Sequence, residues 1–344
     1  VGLDLGFFNE RIGINVDWYM KTTRDLLLDA DLSYTTGFKS AMKNVGKVRN
    51  SGVEFTLNTV NIQKNGFKWS TNFNIAFNKN EVLELAENQT SLLTAAYFDQ
   101  AYNTQPTYIA KKGYSMGMMY GYQYEGTYKY EDFYKSGDTY VLRPGVPYFS
   151  SESNTQPGMP KYKDLNGDGV IDTNDRTMIG RGLPIHTGGF TNDFEYKGFG
   201  INAVLTYQYG AKMYNQTLVD KVENADMKYN VDRRIYTDRW RKPGDIALYK
   251  AISEEVYVSE KQQFASEKTY PTSRFVQKRN ELKISSLQLS YDFFRHDFVK
   301  KIGLERILLR FNANDLFTFS SIDIERGTSY PFARTFNFSL NVTL

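Results

Sequence analysis

With 344 residues, 42 basic and 39 acidic side chains, 15% aromatics and no cysteine, the chain carries no disulfide, Cys-ligated zinc, iron–sulfur cluster or thiol nucleophile. The net charge of +3 leaves no nucleic-acid footprint, and the two histidines, His186 and His296, lie too far apart for a multi-His metal motif. A mean hydropathy of −0.52, without an apolar run of about 18 residues, excludes transmembrane helices; it does not exclude a transmembrane barrel, whose alternating strands average to polar.

Val1 opens inside a strand-like run, Val-Gly-Leu-Asp-Leu-Gly-Phe-Phe, so the chain reads as a piece of a longer polypeptide. Period-2 alternation follows. Over residues 11–20, Ile12, Ile14, Val16, Trp18 and Met20 share one face, and Arg11, Gly13, Asn15, Asp17 and Tyr19 the other. Over 67–78, Phe67, Trp69, Thr71, Phe73, Ile75 and Phe77 alternate with Lys68, Ser70, Asn72, Asn74, Ala76 and Asn78. The chain ends on Phe336, Phe338, Leu340, Val342 and Leu344, alternating with Thr335, Asn337, Ser339, Asn341 and Thr343. Several runs reach about ten residues, enough to cross a bilayer at a tilt, whereas soluble strands average about five or six.

Short connections are expected at Asn9-Glu10, 61–66, 197–198 and 295–303, and long ones at 26–46, 82–103, 129–185, 212–280 and 317–331. Short turns on one side and long loops on the other describe an outer-membrane barrel, with turns in the periplasm and loops outside. Strand direction must then alternate. A single strand within 104–128 breaks the alternation, and two restore it. The expected strands are 2–8, 11–25, 47–60, 66–80, 105–112, 116–128, 186–197, 199–211, 280–293, 304–316 and 333–344. Single-chain bacterial barrels have even strand counts, so an odd count again suggests a fragment. Its free edges need the remaining strands, because unpaired backbone groups in lipid are costly. A soluble antiparallel sandwich would alternate in the same way; strand length, loop asymmetry and the apolar final strand weigh against it.

The sharpest motif is Asp164-Leu-Asn166-Gly-Asp168-Gly169-Val170-Ile171-Asp172-Thr-Asn-Asp175. It has the spacing of a calcium loop: oxygen ligands at positions 1, 3 and 5, Gly at 6, the Val170 carbonyl at 7, Asp172 at 9 directly or through water, and Asp175 at 12 in place of the usual Glu. Four Asp in this stretch would repel one another without a cation. A metal-free loop of Asx turns is the alternative. As a calcium loop it would stiffen the 129–185 excursion and do no catalysis. The loop tyrosines Tyr134, Tyr140 and Tyr148 could stack on sugar rings or grip peptide side chains, or simply pack the loops. Tyr120 and Tyr122 read rather as an interfacial aromatic girdle together with loop packing. The charged stretch 226–242 could hold a loop helix, meet a partner, or face solvent. Gly198-Phe-Gly200 imitates a dinucleotide fingerprint, but it sits in a hairpin with no helix after it. No residue is expected to make or break a covalent bond.

The ordered set Gly2-Leu-Asp-Leu-Gly-Phe-Phe-Asn-Glu-Arg-Ile, Tyr19-Met-Lys-Thr-Thr-Arg-Asp-Leu-Leu, Asn44-Val-Gly-Lys-Val-Arg-Asn-Ser-Gly-Val-Glu-Phe, Met119-Tyr-Gly-Tyr-Gln-Tyr-Glu-Gly, Tyr162-Lys-Asp-Leu-Asn-Gly-Asp-Gly-Val-Ile-Asp, Asp175-Arg-Thr-Met-Ile-Gly, Asn314-Asp-Leu-Phe and Tyr330-Pro-Phe-Ala-Arg-Thr-Phe resembles the SusC/RagA-type TonB-linked outer-membrane transporters of Bacteroidetes. The resemblance runs through the whole chain, as the C-terminal barrel portion of a longer protein. It implies a barrel of about 22 strands, of which about eleven would be half, together with an N-terminal plug, a TonB-contacting segment and a SusD-like surface lipoprotein as partner. It further implies import of oligosaccharides or peptides, energised through TonB. Leu344 departs from the aromatic residue that often ends such barrels. A barrel-anchored adhesion or structural protein and a plain diffusion porin are the alternative readings.

Overall fold

Alternation of this length needs a surface with two different solvents. In the computed structural model, the described residues are 1–31, 40–85, 89–94, 108–137, 139–149, 151–223, 230–242, 245, 247–249, 270–294, 296–322 and 333–344. They form two units: Val1–Glu87, Leu183–Ala211 and Lys278–Leu344 make one, Asn88–Gly182 and Lys212–Gln277 the other.

The first unit is built on a nine-stranded sheet. Its strands are β1 (Gly2–Phe7), β2 (Ile12–Asp31), β3 (Ser40–Lys64), β4 (Phe67–Glu84), β15 (His186–Tyr196), β16 (Phe199–Tyr214), β17 (Val276–Asp292), β18 (Arg306–Ser320) and β19 (Thr335–Thr343), with the ten short strands of the second unit numbered between. The order is the chain order, with β4 beside β15. Register carries the sequence pattern across strands: Leu5, Ile14, Leu57, Phe73, Phe190 and Leu205 stand in one row, and Leu289, Phe311 and Phe338 continue that face on β17–β19. One residue along, Asp4, Asn15, Thr56, Asn74, Gly189 and Thr206 form the opposite row. The apolar face is open to its surroundings, with Phe338 77% and Leu340 62% exposed. Such an outward apolar face is unfavourable in water and is what a lipid-facing sheet requires. No helix among the described residues is long and apolar enough to cross a membrane.

The short connections are tight. Asn65-Gly66 and Lys197-Gly198 both have positive φ at each residue, the pattern of two-residue turns whose twist matches that of the flanking strands. The expected turn at 61–66 therefore shrinks to 65–66, because β3 runs on to Lys64. It does so through a bulge at Asn61, where Arg11 Nη2 donates to the carbonyls of Val60 and Asn61 at 3.1 Å each. The Asn61 amide accepts from Thr59 (2.9 Å) and donates to Thr71 (2.7 Å). Asn192 Oδ1 accepts from both Thr71 Oγ1 and Trp69 Nε1 at 2.9 Å. This polar chain lies on the otherwise apolar face and satisfies what the bulge releases.

Among the described residues this sheet has nine strands, which corrects the sequence-based count of about eleven. The expected strand 105–112 is present only as β6 (Tyr108–Lys111), with 105–107 outside the described residues, and 116–128 divides into β7 (Met118–Tyr122) and β8 (Tyr124–Thr127). These strands are too short to cross a bilayer. They pair elsewhere: β5 (Ser91–Thr94), β6, β7 and β14 (Arg176–Arg181) form a separate sheet, and β8 pairs with β12 (Pro160–Tyr162). Alternation of direction requires an even number of strands between β4 and β15; zero satisfies it as well as two. With nine strands, the arithmetic that made this chain half of 22 no longer holds. The remaining strands overlap their expected positions, and β2 and β3 run well past theirs.

The second unit is organised around three small cores: Leu218, Val219 and Val222 of the helix Gln216–Glu223 with Ile235, Tyr249 and Phe275; Tyr122, Tyr162 and Ile171; and Tyr128, Phe133 and Leu142. The stretches expected as loops thus pack their own apolar side chains inward.

Candidate calcium-type loop and aromatic sites

The loop 164–175 is wound by its own carboxylates. Asp164 accepts from the amides of Gly167 (2.6 Å) and Gly169 (2.8 Å), Asn166 from that of Asp168 (3.0 Å), Asp168 from that of Val170 (2.8 Å), and Asp172 from that of Asn174 (2.7 Å). Gly169 has φ +86, a conformation side-chain-bearing residues avoid, which explains Gly at the sixth position. Asp175 is fully buried; Oδ1 accepts from Leu165 (2.7 Å) and Asn166 (3.4 Å), and Oδ2 from Asp172 (2.8 Å). Asp175 thus closes the loop as an amide acceptor.

The oxygen set is the one calcium takes, and an ionised carboxylate has about four acceptor sites, so one or two amides do not exhaust Asp164, Asp168 or Asp172. Among the described residues, however, no three acidic or histidine side chains gather closely enough to hold a metal ion. The hydrogen-bonded turn is complete as it stands.

Beyond the loop, Val170 and Ile171 form β13, which pairs in parallel with Tyr148 and Phe149 of β11. This brings Tyr148 beside Val170, a juxtaposition no spacing foretold. Ile171 inserts between Tyr122 and Tyr162. Burial, with Tyr270, Asp172 and Asp175 acting against Arg176, pushes the Tyr122 hydroxyl up to about 12. Arg176, itself buried, lies over the rings of Tyr120 (4.7 Å) and Tyr122 (6.0 Å), and burial lowers its own pKa. Tyr122 belongs to this core of the second unit and Tyr120 lies against the same Arg176, so of the expected girdle and loop packing it is the packing that holds.

Two of the three loop tyrosines, Tyr140 and Tyr148, pack against one core, that of Tyr128, Phe133 and Leu142, and Tyr134 does not. Tyr140 packs edge-on to Tyr130 (4.8 Å) and Phe133 (6.4 Å). Tyr148 leans on the Tyr128–Phe133–Leu142 core, and Tyr134 points away from it, 43% exposed, with Arg143 over its ring at 5.7 Å. Packing accounts for two of the three. Sequence reasoning missed Trp240, which stacks on Tyr130 at 5.6 Å and lies across Gly158, where a Cβ would strike the indole. These positions are about a hundred residues apart, and no periodicity links them. The charged stretch holds only the short helix Arg233–Thr237, capped by Asp232; residues 224–229 lie outside the described set.

A sheet of long antiparallel strands, apolar over most of one face and polar on the other, with two-residue turns at 65–66 and 197–198, is that of an outer-membrane β-barrel. No family model matches the chain. A TonB-dependent receptor of Formosa agariphila is 31% identical over 94% of this chain and 31% of its own length; a second from the same organism is 28% identical over 99% of this chain and 33% of its own. The TonB-dependent receptor SusC of Bacteroides thetaiotaomicron is 27% identical over 64% of this chain and 20% of its own. The solved RagAB peptide importer in its open-open state has the same fold, with TM-score 0.66 at 21% identity over 93% of this chain and 30% of that one. In sequence the chain is similar to TonB-dependent receptors, SusC among them, and its fold is that of a portion of an outer-membrane barrel. It spans about a third of the length of the curated Formosa relatives it matches.

Proposed function

We propose that this chain is the barrel-wall and outer-loop portion of an active outer-membrane importer, taking up oligosaccharides or peptides with a SusD-like surface lipoprotein and energised through TonB. The observation that carries the reading is the lipid-facing nine-stranded sheet in a sequence akin to TonB-dependent receptors. Support for a lipoprotein partner comes from the SusC and RagAB neighbours. The substrate class stays open between glycan and peptide, since most loop tyrosine faces are spent on packing. A mild-detergent pull-down from outer membranes, with mass spectrometry of the whole complex, tests this. Plug peptides and a stoichiometric surface lipoprotein are expected; a lone chain near 40 kDa would favour an anchor or a porin.

Within this reading, the loop 164–175 is a brace, and calcium is the cation its donor set supports. Asp164→Ala with Asp168→Ala should lower the melting temperature of the full-length protein more in calcium than in chelator, where only the hydrogen bonds to the Gly167, Gly169 and Val170 amides are lost. Equal losses in both would leave the amide-wound turn as the whole account.

A further inference from the structure

The described residues of 230–242, with 245 and 247–249, are held down on one side and offered on the other. Ile235 is buried in the core with Leu218 and Phe275, Trp240 stacks on Tyr130, and Tyr249 stacks on Phe275 at 6.3 Å. Two of the three described acidic groups are spent internally: Asp232 holds Arg234 at 2.7 Å and caps the helix, and Asp245 accepts from the amides of Arg241 and Lys242 and pairs with the Arg241 guanidinium at 3.8 Å, while Asp238 is half-buried. What remains outward is Tyr236, 68% exposed, with the Arg241 guanidinium 5.8 Å from its ring. Arg233 and Lys242 are also exposed and form no ion pair among the described residues. Leu248 adds an apolar spot at 57% exposure.

We infer that this face is a docking knob for an acidic protein surface. Exposed Tyr and Arg on a rigid backbone are the residue types that dominate protein interfaces, and a ring already stacked with a cation gives up little freedom on binding. The spare positive charge calls for carboxylates on the other side. The inference does not depend on which solute is imported.

The test places the photo-crosslinker p-benzoylphenylalanine at Tyr236 of the full-length receptor in outer membranes and maps the adduct by mass spectrometry. Support requires one protein adduct at a segment rich in Asp or Glu and a cross-linking yield about tenfold lower with Arg233→Glu and Lys242→Glu, about the effect of losing one good charge contact. It also requires recovery of that yield when the mapped acids are changed to Lys. Heat-modifiable gel migration checks that each variant barrel is folded. An adduct to lipid, to a glycan or to another part of the receptor, no adduct, or a yield indifferent to charge reversal would each overturn it.

Discussion

The nine-stranded sheet and the loop unit are made from the same side chains turned to opposite solvents. Phe338 stands 77% exposed on β19, whereas Phe275 is 1% exposed in the helix-containing core of the other unit. In the second unit a phenyl ring gains by leaving water. On the sheet it gains by entering hydrocarbon, and the polar alternate residues face away from it. Burial computed against water therefore reads the two halves with opposite sign, and only strand register reveals that the exposed residues form one surface.

Truncation separates the two most sharply. Phe275→Ala should cost about 3–5 kcal/mol locally, opening residues 212–277 to protease while the barrel keeps its heat-modifiable migration. A barrel that also unfolded would show that the two regions share one cooperative unit. Next comes charge: Phe338→Lys should cost about 2–4 kcal/mol in a lipid-folding titration, and its neighbour Ser339→Lys close to nothing. Equal effects would contradict the assignment of faces. A smaller effect is expected in the polar chain on the apolar face. Asn192→Leu leaves Trp69 Nε1 and Thr71 Oγ1 without their acceptor and should cost about 1–3 kcal/mol, most of it recovered on adding Thr71→Val and Trp69→Phe; the same titration reads both.

The smallest effect belongs to Asp232. Its hydrogen bonds from Arg234, outweighing burial, hold its carboxyl down at about 2. Because the folded group is more acidic than the unfolded one, its stabilisation is complete above about pH 4 and disappears as pH falls towards 2. After solvent screening it is worth under about 1 kcal/mol. With a 19F-labelled tryptophan at Trp240, its signal should titrate over that interval, and Asp232→Asn should flatten the response.

The strands were legible because lipid on one side and polar surroundings on the other impose a period of two, as at Phe67–Phe77, and that period is local. Direction parity was legible too, but it fixes only whether a number is even. It could not distinguish two extra strands at 105–128 from none. What decided the matter was partnership over distance: β7 pairs with β14, and the Tyr122 amide donates to the Pro271 carbonyl at 2.8 Å. The loop 164–175 announced its acids by spacing; that those acids turn onto backbone amides is a property of the folded turn. The bulge at Asn61 and the Tyr130–Trp240 stack have no periodicity to reveal them.

The seam between β4 and β15 has a consequence for the order of assembly. Hairpins β1–β2, β3–β4, β15–β16 and β17–β18 join near neighbours in sequence, yet Phe73 must find Phe190, about a hundred residues later. Chain closure over that span is slow compared with closing a hairpin. During export β4 therefore waits with an unpaired edge until the whole intervening stretch has emerged, and that interval is when the nascent wall is most open to capture by a chaperone or by the wrong strand.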